Sequence, residues 1–512
     1  MKTIFAFSFL IISVLTCAQN NKSATLVINA DLGKDTISRH LYGHFSEHLG
    51  RCIYEGYWVG EDADIPNTRG IRDDVVNALR DLNIPNLRWP GGCFADEYHW
   101  MDGIGPRNQR PTMINTHWGG VAEDNSFGTH EFLDLCEQLG TEPYICGNLG
   151  SGTVEEMSDW VEYINFDGVS QMTDQRRVNG RDNSWGVKYW GVGNENWGCG
   201  GSMTADFYAQ QYRRYATYCR SYEGNRLLKI AGGAYDEHYD WTETLMKEIP
   251  HHMMWGISYH HYLTDFHNKG SATGFTEELY FKSVAMAVDF GRILDGHLTI
   301  MDKYDPEGKV AFVVDEWGTW WNVEPGTNPG FLYQQNSLRD AIMAVISLHH
   351  FSQRCSRIKM ANIAQTVNVL QAMILTDKEK MILTPTYHVF NMLKVHQDAI
   401  LLPLYLETPD YEMGEKALPS LTASASKNSD GQIHLSLANI DPDKAIDLQI
   451  DMRGTDASKM TGSILTADEL TTHNTFDLPD RIKPAGFNEG KMKGNIITLK
   501  LPAKSIVVLE IQ

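Results

Sequence analysis

From about residue 40 to residue 395 one pattern repeats eight times. A short apolar or β-branched run is followed by a longer segment whose apolar residues recur at helical spacing. The runs are His40–Phe45, Pro85–Trp89, Pro143–Gly147, Val187–Gly193, Leu228–Gly232, Gly256–Tyr262, Val310–Asp315 and Ile358–Ala364. Nearly continuous hydrophobicity marks strands buried on both faces, as in a parallel sheet covered by helices. Between the runs, Ile71, Val75, Leu79 and Leu82 keep helical spacing. So do Phe132, Leu135 and Leu139; Met157, Trp160 and Ile164; and Phe207, Tyr212 and Tyr215. Ser337-Leu338-Arg339-Asp340 has the form of a capping box, opening a helix with Ile342, Val345 and Ile346 inward. Eight such units predict a (β/α)8 barrel over residues 39–396. An open doubly wound sheet shares this periodicity and is the alternative.

Past Leu401 the texture changes. Leu402–Leu406, Leu421–Ser426, Gln432–Ala438, Ile446–Met452, Gly462–Thr466 and Ile496–Leu509 are alternating runs punctuated by Gly, Asp, Asn and Pro. They predict a C-terminal antiparallel β-sandwich, jelly-roll-like, over residues 397–512. The strand-like stretch Ala24–Ala30 is assigned to that sandwich, because the barrel already has its eight strands; residues 19–38 form this N-terminal segment.

Lys2, the apolar run Ile4–Leu15 and the small residues before Gln19 read as a secretory signal cut after Ala18. The expectation is an exported protein, periplasmic or secreted, with lipid attachment at Cys17 as the rival. The apolar run is too short to span a bilayer comfortably, and no later stretch reads as a transmembrane helix. The net charge of −21 repels phosphate backbones and argues against nucleic acid as a partner. Beyond Cys17, Cys52, Cys93, Cys136, Cys146, Cys199, Cys219 and Cys355 are widely spaced, with no CxxC. They show no disulfide framework or zinc knuckle, and most are expected as free thiols packed in the interior. Adjacent His residues at 251–252, 260–261 and 349–350 diverge on strand or helix, so no metal site is expected from them.

The fourth run ends in Gly191-Val192-Gly193-Asn194-Glu195-Asn196-Trp197, the seventh in Val313-Val314-Asp315-Glu316-Trp317-Gly318. The C-terminal ends of barrel strands face the active site, and strands 4 and 7 lie on opposite sides of its mouth. Glu195 and Glu316 are therefore expected to converge across a cleft. Most of the 65 acidic residues are solvated surface charge. These two instead follow apolar runs among Gly and Trp, where charge is costly unless used or paired. Two converging carboxylates, one protonated, are what glycosidic cleavage requires. Gly191-Val192-Gly193 is not a dinucleotide turn, since the third glycine is missing and no helix follows at once.

These residues resemble retaining glycoside hydrolases with the acid on strand 4 and the nucleophile on strand 7. Tyr42-Gly43-His44-Phe45-Ser46-Glu47-His48-Leu49-Gly50 and Arg88-Trp89-Pro90-Gly91-Gly92-Cys93-Phe94 narrow the resemblance. His99-Trp100-Met101-Asp102-Gly103-Ile104-Gly105-Pro106 and Ala364-Gln365-Thr366-Val367-Asn368 narrow it further. Together they resemble the α-L-arabinofuranosidases of glycoside hydrolase family 51, over nearly the whole chain beyond the leader. The resemblance implies Glu195 as acid/base, Glu316 as nucleophile and Asn194 on a sugar hydroxyl. It places Glu47, Tyr262 and Gln365 around the arabinofuranose ring. Cys93 stands where many relatives carry Asn, and as a thiol would donate only weakly to the sugar. Gly318 stands where relatives often carry Asn. Trp118 and Trp320 are open to stacking on neighbouring sugars or to packing under a loop.

The implied activity is exo-acting and retaining. Terminal arabinofuranose is released from arabinan- or arabinoxylan-type polysaccharides or oligosaccharides by double displacement, with no metal or organic cofactor. Carboxylates about 5–5.5 Å apart resist double ionisation, which favours one of them keeping its proton. An endo-acting glucanase or xylanase would share the barrel and the pair. A non-catalytic carbohydrate-binding protein would have no reason to keep both Glu195 and Glu316. By resemblance the chain is a homo-oligomer, trimer or hexamer.

Overall fold

The computed structural model describes residues 22–222 and 224–512. The leader assigned to residues 1–18, with Cys17, lies outside them. Eight parallel strands close into a barrel, each beside the next and the last beside the first. They are β1 (Gly43–Phe45), β2 (Asn86–Trp89), β3 (Glu142–Gly147), β4 (Tyr189–Val192), β5 (Leu228–Tyr235), β6 (Gly256–Leu263), β7 (Ala311–Thr319) and β8 (Ile358–Ala364).

Each strand is followed by a helix. In chain order these are α1 (Asp73–Leu82), α2 (Thr129–Leu139), α3 (Val154–Asn165), α4 (Gln171–Val178), α5 (Ala205–Tyr218), α6 (Tyr239–Glu248), α7 (Glu277–Tyr304), α8 (Leu338–Gln353) and α9 (Pro385–Leu393). Only α4 is supernumerary, sharing the β3–β4 connection with α3. Closure settles the choice between barrel and open sheet. No helix among the described residues is long and apolar enough to cross a membrane.

The continuous apolar runs are explained by double coverage. All nine residues of β7 are buried, with helices outside and a second core within. That inner core holds Tyr144, Tyr189, Ile230, Val313 and Met360. The run at His40–Phe45 is half turn: Arg39–Tyr42 forms a 3-10 turn, and the Ser38 hydroxyl accepts the His40 N–H. Ile71 lies just outside α1, in a two-residue strand paired with Asn67–Thr68. The capping box at α8 forms, the Asp340 carboxylate accepting the Ser337 N–H at 2.7 Å.

The C-terminal domain is two facing sheets. One orders Leu404–Glu407, Lys22–Asn29, Ile446–Arg453, Ile496–Leu501 and Gly490–Lys493. The other orders Ile400–Leu401, Leu421–Lys427, Ile433–Asn439, Ser505–Ile511, Met460–Thr466 and Ala485–Gly486. The run read as one strand over 496–509 therefore splits, its halves going to different sheets. Lys22–Asn29 runs parallel to Ile446–Arg453 and antiparallel to Leu404–Glu407, so the first sheet is mixed. Alternation sets the inner faces: Ile446, Leu448, Ile450 and Met452 point inward between more exposed neighbours. The domain docks on α8 and α7, where His349 Nε2 lies 2.9 Å from Ser436 Oγ and Tyr280 donates to the Ile440 carbonyl at 2.7 Å.

Candidate active site

Strand ends β1, β2, β4, β6, β7 and β8 all contribute to one polar cluster at the barrel mouth. Glu316 is its centre. Its Oε1 accepts from Arg88 Nη1 at 2.8 Å and its Oε2 from the Tyr262 hydroxyl at 2.8 Å. Burial by itself pushes the Glu316 carboxyl up, but His260 and Arg88 beside it outweigh this and hold it below the usual carboxylate range. The same pairing acts on His260. Burial disfavours its cation, yet the Glu316 charge and the contact with Glu195 raise it above the ordinary imidazole value.

A local irregularity aims two consecutive acids inward. In a regular strand Asp315 and Glu316 would point to opposite faces. Here β7 carries one extra residue against both neighbours. Tyr259 and His260 of β6 face Val314 and Glu316, and Ala361 and Ile363 of β8 face Val314 and Trp317. This bulge turns both carboxylates into the barrel. Asp315 accepts from the Tyr144 hydroxyl at 2.7 Å and from Asn362 Nδ2 at 2.8 Å, and lies 3.4 Å from Arg88 Nε.

Glu195 arrives from the opposite rim. It takes a left-handed backbone, φ 42°, just after Gly193 at φ 85°, and its carbonyl accepts the N–H groups of Gly198 and Gly200. That tight turn lifts the side chain off the end of β4 and over the mouth. Its Oε1 lies 2.8 Å from His260 Nδ1, which is itself 3.6 Å from Glu316 Oε2. One oxygen of each glutamate and the His260 nitrogen lie within 4.8 Å of one another. Such closeness falls on the side of the short carboxylate separation of retaining sites, about 5–5.5 Å, and not of the roughly 6.5–9.5 Å of inverting ones.

Glu47, Gln365, Trp118 and Asn194 surround this pair. Glu47 Oε1 accepts from the Phe94 N–H at 3.1 Å and from the Trp118 indole at 2.9 Å, and Oε2 from Gln365 Nε2 at 3.1 Å. Burial, then the Glu316 charge, push its carboxyl up to about 7. Asn194 Oδ1 accepts from Arg88 Nη2 at 2.6 Å. Asn194 Nδ2 and Gln365 Oε1 are buried and find no partner among the described residues. One buried donor and one buried acceptor beside the carboxylate pair are thus left without a protein partner. Gly91 and Gly92 leave the space: a Cβ on Gly91 would come within 2.6 Å of Glu47 Cγ, and one on Gly92 within 2.8 Å of Glu316 Oε1. Trp320 stands at the rim, edge-on to Tyr262 with centroids 5.0 Å apart, and Lys269 sits over its ring at 4.2 Å.

One expectation about the site needs correction. Cys93 is not a thiol turned to a sugar: it is disulfide-bonded to Cys199, 106 residues away, with Cα atoms 5.5 Å apart. The loops after β2 and β4 meet above β3, a proximity no spacing in the chain announces. Cys52, Cys136, Cys146, Cys219 and Cys355 are buried free thiols. Four functional residues went without a role in the sequence reading: Arg88, His260, Asp315 and Asp96. Asp96 accepts from the backbone N–H of Leu149, Gly150 and Asn194, each at 2.7 Å, tying three strand-end loops together. Arg88 and His260 lay in motifs or pairs already noted. Their part depends on partners more than a hundred residues away or on a neighbouring strand.

Two family models match the chain, the α-L-arabinofuranosidase 1 domain over residues 78–262 and the α-L-arabinofuranosidase C-terminal domain over residues 315–505. An intracellular exo-α-L-arabinofuranosidase of Bacteroides ovatus is 56% identical, covering 100% of this chain and 99% of its own. The crystal structure of the GH51 arabinofuranosidase from Xanthomonas axonopodis pv. citri is 48% identical with TM-score 0.95, covering 96% of this chain and 100% of its own. An arabinose complex of the Thermotoga maritima α-L-arabinofuranosidase is 31% identical with TM-score 0.84, covering 95% and 99%. The Bacteroides relative is named as intracellular although it matches this chain throughout, and this overturns the expectation of export drawn from residues 1–18. With both family models matched and relatives of 56% and 48% identity aligned over nearly its whole length, the chain belongs to the α-L-arabinofuranosidases of glycoside hydrolase family 51.

Proposed function

We propose that Glu316 is the nucleophile and Glu195 the acid/base of a two-step displacement on terminal α-L-arabinofuranose. The approach of both carboxylates to His260 within 4.8 Å carries this reading. Glu316 is held ionised by Arg88, Tyr262 and His260, as a nucleophile must be. Glu195 stands across the mouth to protonate the leaving oxygen and then to activate water. Once Glu316 is esterified, Glu195 takes the proton of the attacking water in the second step. Glu47, Asn194, Tyr262 and Gln365 hold the ring. Glu47 keeps its proton under mildly acidic conditions and then donates to a sugar hydroxyl rather than repelling Glu316. Trp118 closes the floor through Glu47, and Trp320 meets the leaving group at the rim.

The same reading assigns catalysis to residues 39–396 and gives residues 397–512, completed by 19–38, a supporting role. The natural substrate is a short arabinose-containing oligosaccharide. The intracellular relative supports this, since polymers do not enter cells. Assembly as a trimer or hexamer belongs to the reading, and light scattering of the full chain tests it. A panel of arabino-oligosaccharides, arabinan, arabinoxylan and β-glucan decides the substrate. Arabinose as the sole early product, with the highest kcat/KM on oligosaccharides, is expected. Shortened glucan or xylan chains would establish the endo-acting alternative.

A further inference from the structure

The Cys93–Cys199 bridge lies directly against the carboxylate assigned as acid/base. Glu195 Oε2 is 3.5 Å from Cys199 Sγ and 3.9 Å from Cys93 Sγ. Its other oxygen is held by His260 at 2.8 Å, so Oε2 is the one directed at the two sulfurs. All three residues are only partly buried, and their ligand atoms lie within 4.8 Å of one another. Among the described residues this is the one such group that contains sulfur.

We propose that reduction of Cys93–Cys199 creates a three-ligand site for a thiophilic divalent cation such as zinc or cadmium, with Glu195 as the third ligand. In a tetrahedral zinc site, bonds of about 2.3 Å to sulfur and about 2.0–2.2 Å to oxygen set ligand atoms roughly 3.5–3.8 Å apart. Both sulfurs already stand at about that distance from Glu195 Oε2. Only the sulfurs themselves must separate, and a Cα–Cα distance of 5.5 Å leaves them room to do so. Solvent takes the fourth position from the open side of the mouth, while His260 orients the carboxylate from behind, as outer partners do in metal sites.

The chemistry balances with a dithiol as reductant. It supplies two electrons and two protons; the S–S bond breaks, the reductant closes to its own disulfide, and both protein sulfurs become thiols. Cation binding then displaces the two thiol protons to solvent. Reducing compartments keep such pairs open, and oxidising ones keep them closed. A bound cation occupies the carboxylate that must carry the proton, so the reduced enzyme is inhibited by metal and the oxidised enzyme is not. This consequence rests on the acid/base assignment of Glu195; the binding itself does not.

The test uses the full chain, reduced with a dithiol, freed of reductant anaerobically and titrated with cadmium chloride. Ultraviolet absorbance of the thiolate–cadmium bond reports binding, and release of nitrophenol from nitrophenyl arabinofuranoside reports activity. One cadmium per chain is expected, with activity falling at least about tenfold and returning on addition of a chelator. The oxidised chain should show neither effect. Cys93→Ser and Cys199→Ser, each checked for folding by circular dichroism, should each weaken cadmium binding at least about tenfold. The absence of a thiolate band in the reduced chain would overturn the proposal. Undiminished affinity in both serine variants, or equal binding by the oxidised chain, would do the same. A full band at one equivalent with undiminished activity would confirm the site and overturn the role of Glu195.

Discussion

The barrel mouth and the sandwich are both built from strand ends and strand faces, yet they treat charge in opposite ways. Inside the sandwich the inner faces are apolar: Leu26, Ile28, Leu435, Leu437, Ile450 and Leu499 form its core. At the mouth Glu47, Arg88, Asp96, Asp315 and Glu316 are all buried within a few strand ends of each other. Burying a charge is unfavourable unless partners replace water. Here every one of them has at least two, from a neighbouring strand or loop. The sandwich converts apolar area into stability, whereas the rigidity of the scaffold at the mouth fixes ionisable groups a few ångströms apart. Substitutions in the two regions should therefore separate activity from stability.

The largest separation is expected at Glu316. Glu316→Ala should lower turnover of every substrate by at least about 10⁴-fold, since no other group can form the ester. Added azide should yield an arabinosyl azide of inverted configuration. Normal turnover in that variant would remove the mouth from the chemistry altogether.

Glu195→Ala is the next largest and depends on the leaving group. Oligosaccharide hydrolysis should fall by about 10²–10⁴-fold, because a sugar alcohol cannot depart unprotonated. Dinitrophenyl arabinofuranoside needs no such help, so its first step should survive and an ester on Glu316 should accumulate as a burst. Azide should then speed release with retained configuration. Equal slowing of both substrates, with no azide effect, would show that Glu195 does something else.

In the sandwich the signs reverse. Leu437→Ala deletes a fully buried side chain between the sheets and should cost about 2–5 kcal/mol in denaturant unfolding while kcat/KM stays unchanged. A loss of kcat/KM in the still-folded variant would mean that the sandwich helps shape the mouth.

The smallest effect is a pH trend at Glu47. Its folded carboxyl holds a proton up to about pH 7, whereas the unfolded one releases it near 4.5. Between these values the folded state binds more protons, so this group makes stability fall as pH rises. Glu47→Gln removes the penalty. The melting temperature of that variant relative to the parent should therefore climb from about pH 4.5 to about pH 7. A flat difference would show that Glu47 is ionised throughout and that its burial is compensated.

Much of the architecture is legible in the chain itself, because burial leaves a periodic trace. Strands covered on both faces read as unbroken apolar runs, and those covered on one face alternate; the barrel and the sandwich announced themselves in those two textures. Glu195 and Glu316 were legible for a related reason: an acid closing an apolar run is out of place unless it is used. The errors lay where local pattern and tertiary contact part company. The stretch 496–509 looks continuous because both of its halves are apolar, and only the sheet pairings separate them.

What the sequence by itself determined is therefore the eight strand–helix units, their order, the sandwich that follows them and the two acids placed at the fourth and seventh runs. What the tertiary structure decided is how side chains distant in the chain meet. The bulge that turns Asp315 and Glu316 to the same side depends on the registers of β6 and β8. The Arg88 bridge to Glu316 and Asn194 spans three strands. The Cys93–Cys199 link joins loops 106 residues apart. Periodicity reports whether a residue is covered, because hydrophobic burial is non-directional and sums over local composition. Hydrogen bonds, ion pairs and disulfides depend on distance and angle between particular atoms, and those are set only when the barrel closes.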